Sequence, residues 1–70
     1  MAFESRVLSL IDPIGDIDHA HFYCGTLFVT GDADTLPGAV ARVETVLADD
    51  GIHGVLVSKT MSDEFALDFI

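Results

Sequence analysis

A chain of 70 residues is one small domain, 1–70, near the lower limit at which apolar burial alone sustains a fold. Burying only about 60% of its unfolded surface, it has no room for both a core and the pocket of several hundred cubic ångströms that a large cofactor needs. Twelve Asp and Glu against three Lys and Arg give a formal net charge of -9, while 50% of the residues are apolar. That combination excludes a disordered acidic tail and disfavours nucleic acid or an anionic membrane as direct partners, since both need a basic footprint.

In chain order, Phe3 to Ile11 is expected as a first strand, with Val7 and Ile11 on one face, Leu8 and Leu10 on the other, and Asp12-Pro13 as its stop. Asp12 to His21 (DPIGDIDHAH) carries Pro13, Gly15 and three aspartates and is expected as an irregular loop. Phe22 to Thr30, aromatic and β-branched and closed by Gly31-Asp32, predicts a second strand. Its faces are expected to hold Tyr23, Leu27 and Val29 on one side and Phe22, Cys24 and Phe28 on the other, so that Cys24 is a buried core thiol.

Leu36, Val40, Val43 and Leu47 recur at helical spacing, with Ala39 and Val46 widening the stripe and Arg42, Thr45 and Asp49 opposite. Asp34 or Thr35 is expected as its N-cap, Pro37 is tolerated in the first turn, and Gly51 is the stop. Val55 to Thr60 and Phe65 to Ile70 predict a hairpin around Met61-Ser62-Asp63-Glu64, with Phe65, Leu67 and Phe69 inward and Glu64, Ala66 and Asp68 outward.

The expected architecture is α+β, ββαββ: a four-stranded, mainly antiparallel sheet with one amphipathic helix packed on one face. The element order resembles the β-grasp layout of small immunoglobulin-binding domains, and a plain antiparallel meander fits the same pattern. One helix covers one sheet face, yet apolar residues fall on both; the uncovered face therefore predicts a homodimer or an obligate partner.

With one cysteine, an intramolecular disulfide is impossible and a reducing compartment, the cytoplasm, is expected. The N-terminus has Glu4 and no basic region ahead of a long apolar run, so neither a signal peptide nor a membrane span is expected.

Ligand-type side chains gather at Asp12, Asp16, Asp18, His19 and His21, followed by Cys24. Carboxylate, imidazole and thiolate together can hold Zn²⁺. The spacing matches no finger or helix motif, however, and Asp12-x3-Asp16-x-Asp18 lacks the closing Glu of a calcium loop. His19, His21 and Cys24 are thus minor metal candidates, and no cofactor is expected. Catalysis is not expected either. Aspartates around Cys24 oppose thiolate formation, no pair among nine Asp and three Glu is singled out, and a lone Lys59 with no glycine-rich phosphate motif offers little to a phosphate.

The distribution of acid is more telling. Asp49 and Asp50 fall in the last helical turn, where the helix dipole disfavours anions by about 0.3–1 kcal/mol each. Asp16 and Asp18 precede the second strand, Asp32 and Asp34 precede the helix, and Asp63, Glu64 and Asp68 surround the last hairpin. Residues two apart on an extended segment are about 6.6 Å apart, close to the step between phosphates, so Asp16 with Asp18, or Asp32 with Asp34, is expected to present phosphate-like spacing, and the nine acids form the expected partner-binding surface for a Lys- and Arg-lined groove.

In size, acidity, scarcity of lysine and the runs DIDHAH, GDAD and ADDG, the chain resembles the small phage-encoded inhibitors that mimic DNA, anti-CRISPR proteins among them. The resemblance implies a non-enzymatic inhibitor, acting in the host cell cytoplasm if phage-encoded, whose partner is a basic nucleic-acid-binding protein such as a Cas surveillance subunit. Two other functions fit the same residues: a small metal-binding protein using the Asp/His/Cys loop, and a homo-oligomeric immunity or accessory protein whose acidity provides solubility.

Overall fold

The computed structural model describes residues 2–69. Its elements are α1 (Ala2–Ile11), β1 (His19–Tyr23), β2 (Thr26–Thr30), α2 (Leu36–Asp49), β3 (Val55–Met61) and β4 (Glu64–Phe69). The fold is α+β with a four-stranded antiparallel sheet, but the order is αββαββ and the helices number two, so the expected ββαββ order, and with it the likeness to the β-grasp layout, does not hold.

The first expected strand is a helix. Phe3, Val7 and Ile11 lie four residues apart, which places them on one side of a helix; Val7 and Ile11 are buried in the core and Phe3 packs edge-on against Phe69, with ring centres 5.3 Å apart. A second difference lies at Cys24-Gly25. The expected strand Phe22 to Thr30 is instead the end of one strand and the whole of another, joined by a two-residue turn in which both residues have positive φ, 51° at Cys24 and 81° at Gly25. That is the backbone of a tight hairpin turn matched to strand twist. Cys24 is therefore exposed at a hairpin tip and not buried. The turn also resets the alternation: Phe22, Leu27 and Val29 share the core face, and Tyr23 moves to the opposite face with Phe28.

Strand order is β1-β2-β4-β3, with each neighbouring pair antiparallel. β2 and β3 consequently run parallel with β4 between them, and α2 is the crossover of this split β-α-β unit. α2 begins and ends as its sequence specifies, though by different atoms at the start. Thr35 is the N-cap residue but its hydroxyl makes no capping bond. Asp32 orders the turn instead: its Oδ1 accepts the Asp34 N–H at 2.8 Å and its carbonyl accepts the N–H groups of Thr35 and Leu36. At the other end Gly51 N–H bonds the Ala48 carbonyl and Ile52 N–H the Leu47 carbonyl, the paired closure of a Schellman stop.

Both helices lie on the same sheet face. Val7 and Ile11 of α1, and Leu36, Ala39, Val40, Val43 and Leu47 of α2, meet Leu27, Val29 and Leu67 of the sheet in one core. Burying each of the larger side chains contributes about 1.5–3 kcal/mol. The last hairpin is as expected in its faces, with Leu67 fully buried and Phe65 and Phe69 packed against the core. Its turn is only Ser62-Asp63, the strands are 55–61 and 64–69, and a register shift falls between Lys59 and Met61. Ala66 is on the outward face yet buried, a short side chain between Phe28 and Ser58 on the flanking strands. Ile70, expected to end that strand, lies outside the described residues.

Candidate functional site

The chain path decides where the acids collect. α1 starts beside the end of β4, through Phe3 on Phe69, and runs toward the His19 end of the sheet; α2 starts at that end, after Thr30, and runs back. The loop leaving α1, the segment leaving β2 and the β3–β4 turn therefore converge. Asp18 N–H bonds the Thr30 carbonyl at 2.8 Å, and Gly31 N–H bonds the Asp63 carbonyl at 3.1 Å. Thr30 pairs with both His19 and Glu64, and an added Cβ on Gly31 would sit 2.6 Å from the Asp16 carbonyl oxygen.

Asp16, Asp18, Asp32, Asp34, Asp63 and Glu64 are thus gathered from three separate segments at one end of the sheet. All are exposed except the half-buried Glu64. Asp49, Asp50 and Asp68 lie at the opposite end, also exposed, in a molecule whose longest dimension is 30 Å. The nine acids expected as one surface are two groups, of which the first is the larger.

Within these groups some acids have local work. Arg6 donates from Nε to Asp50 Oδ2 at 2.6 Å and from Nη2 to the Asp50 carbonyl at 2.7 Å, so a guanidinium from α1 offsets both the carboxylate and the carbonyl end of α2. The placement of Asp50 at a helix C-terminus has this structural cause. Arg42 Nη2 pairs with Asp16 Oδ2 at 3.1 Å. Thr26 donates to Asp68 at 2.6 Å and Thr60 to Glu64 at 2.8 Å. The expected phosphate-like spacing along extended segments is absent: Asp16 has a positive φ of 68°, and Asp32 to Asp34 form a side-chain-closed turn. Any match to a phosphate array has to come from acids on different segments.

The sheet face away from the helices carries His19, His21 and Tyr23 from β1, Thr26, Phe28 and Thr30 from β2, Glu64, Ala66 and Asp68 from β4, and Leu56 and Ser58 from β3. Tyr23 is 67% exposed and Leu56 57%. This face is mixed, and the apolar surplus that pointed to a second apolar contact is largely absorbed by α1. His19 and His21 stand side by side on it, with ring centres 5.2 Å apart, and His21 stacks on Phe28 at 5.6 Å.

Cys24 does not join the two histidines. It lies beyond Tyr23 at the hairpin tip, about 10 Å along the strand from His21. Among the described residues no group of three or more His, Cys, Asp or Glu side chains is placed to hold a metal ion. A groove of about 570 Å³ between the end of α1 and α2 is lined by Leu10, Pro13, Ile14, Arg42, Thr45 and Val46, and a smaller one of about 290 Å³ is lined by Ile11 and Ile17 together with Asp12, Asp18 and His19.

No protein-family model matches this chain, and no curated protein or solved structure does so either. Among the described residues no helix is long and apolar enough to cross a membrane.

The convergence of acids was only partly readable from sequence. Each run of Asp is visible, but their meeting depends on Gly31, whose need to be glycine comes from the Asp16 backbone fifteen positions earlier. Arg6 and Asp50 are 44 positions apart, and nothing local links them. The pairing of His19 with His21 does have a local signal, the alternation HAHFY, once the strand is started at His19.

Proposed function

We propose that this chain is a non-enzymatic binding protein that engages a basic protein surface, of the kind that otherwise contacts nucleic acid, through the acidic end formed by Asp16, Asp18, Asp32, Asp34, Asp63 and Glu64. The observation that carries this is their convergence from three segments while both arginines are held in ion pairs, Arg6 with Asp50 and Arg42 with Asp16. Of the chain's basic side chains, Lys59 remains to oppose the field at that end. Such a field speeds encounter with a Lys- and Arg-rich groove and does so in a salt-dependent way.

DNA mimicry by an inhibitor of the anti-CRISPR kind is the sharper form of this proposal, and the partner is then a Cas surveillance subunit or a similar nucleic-acid-binding protein. Support comes from acidity, size and the absence of a lysine-rich surface. Because the acids of one segment lie in turns, the mimicry has to be made across segments.

The test combines capture of partners from the native host with defined variants. The triple change Asp18→Asn, Asp32→Asn and Asp63→Asn keeps shape and the Asx turn but removes charge. It is expected to weaken the captured complex at least about tenfold, chiefly through slower association, whereas Asp49→Asn with Asp68→Asn leaves it nearly unchanged. Equal affinity of the triple variant and the parent excludes the acidic end as the contact. A partner that still binds its nucleic acid in the presence of saturating protein excludes mimicry.

A further inference from the structure

We infer that His19 and His21 form half of a binding site for a divalent transition-metal ion such as Zn²⁺, completed by the same pair from a second copy of the chain across the open sheet face. The two imidazoles project from one strand on the uncovered face, exposed, with ring centres 5.2 Å apart. Two imidazoles bound through one nitrogen each to a tetrahedral ion at about 2.0–2.1 Å have ring centres roughly 5 Å apart, so this separation already suits one shared ion. Stacking on Phe28, at 5.6 Å and 23° between planes, limits the freedom of the His21 ring and lowers the ordering cost of chelation.

Two further observations set the stoichiometry. No third His, Cys, Asp or Glu among the described residues is placed to complete a site within one chain, and a tetrahedral ion held by two imidazoles has two positions left. A twofold axis through the ion fills both with the partner copy's own pair, which is how a self-complementary interface arises from one surface. The face is free to do so because both helices pack on the other side, and it presents Tyr23 and Phe28 beside the histidines. Asp18 and Glu64 at the same end favour the approach of a dication, and the ion's charge offsets part of the repulsion between two chains of formal charge -9.

The experiment is a Zn²⁺ titration of the metal-free chain, carrying no histidine tag, followed by calorimetry for stoichiometry and analytical ultracentrifugation for mass. The expected result is one Zn²⁺ per two chains with a shift from monomer to dimer that chelator reverses. His19→Gln and His21→Gln, both exposed and checked for folding by circular dichroism, are each expected to abolish the metal-dependent dimer and lower zinc affinity at least about tenfold. His53→Gln, on the loop after α2, leaves both unchanged. Dimerisation that survives either strand variant, zinc bound one per chain to a monomer, or no zinc-dependent mass change at about 1 mM Zn²⁺ each overturns the inference.

Discussion

Gly31 is where three backbone segments meet, and its missing side chain is what lets them do so. An added Cβ would lie 2.6 Å from the Asp16 carbonyl oxygen and 3.2 Å from Leu36 Cδ1, and the first of these is backbone that cannot swing aside. Gly31→Ala is therefore expected to cost about 1–3 kcal/mol, read as a lower midpoint in urea unfolding. Gly38, in the first turn of α2, is the contrasting case. Its nearest neighbour to an added Cβ is the flexible Arg42 guanidinium at 3.9 Å, so Gly38→Ala has room and is expected to stabilise by roughly 0.5–1 kcal/mol through reduced freedom of the unfolded chain. Opposite signs at two exchanges of identical chemistry separate close approach from intrinsic propensity; equal effects would show that Gly31 is not held by Asp16.

Helix α1 is tied to α2 through one residue outside the core. Arg6 reaches the Asp50 carboxylate and the Asp50 carbonyl, joining the first half of one helix to the last residue capping the other. Both side chains are partly solvated, 52% and 38% exposed, so the pair is screened and Arg6→Ala is expected to lower stability by only about 0.5–1 kcal/mol. Thermal unfolding at low and high salt measures this, and the loss is expected to shrink as salt rises. How much of each element was legible follows from its local signals. α2 has a long period-3.6 stripe, Pro37 near its start and Gly51 after its end, and it is found where the sequence puts it. α1 is short, and the run Val7-Leu8-Ser9-Leu10-Ile11 fits a two-sided strand as well as a helix; the spacing of Phe3, Val7 and Ile11 acquires meaning only once β4 supplies Phe69. The β1–β2 hairpin was hidden because Cys at a left-handed turn position is a poor signal beside the usual Asn or Asp before Gly. The acidic runs were legible as runs, while their assembly into two ends depends on α1 and α2 running in opposite directions.

At the scale of the whole molecule the question is which electrostatic effect dominates, attraction in two surface ion pairs or repulsion among the unpaired acids. Twelve acidic against three basic residues, with the larger acidic group drawn together at one end, favours repulsion. Exposed pairs contribute about 0–1 kcal/mol each, whereas like charges brought within a Debye length, about 10 Å at 0.1 M salt, oppose compaction collectively. Raising salt from about 20 mM to 300 mM is therefore expected to stabilise the fold, on the order of 1 kcal/mol. The triple exchange of Asp18, Asp32 and Asp63 for Asn is expected to make the chain more stable at low salt and to flatten this dependence, while exchange of Asp49 and Asp68 changes the slope less. Urea midpoints across the salt series decide it. A stability that falls with added salt means the Arg6 and Arg42 pairs outweigh the acidic end, and the convergence on which partner binding is proposed then carries too weak a field to steer a basic protein.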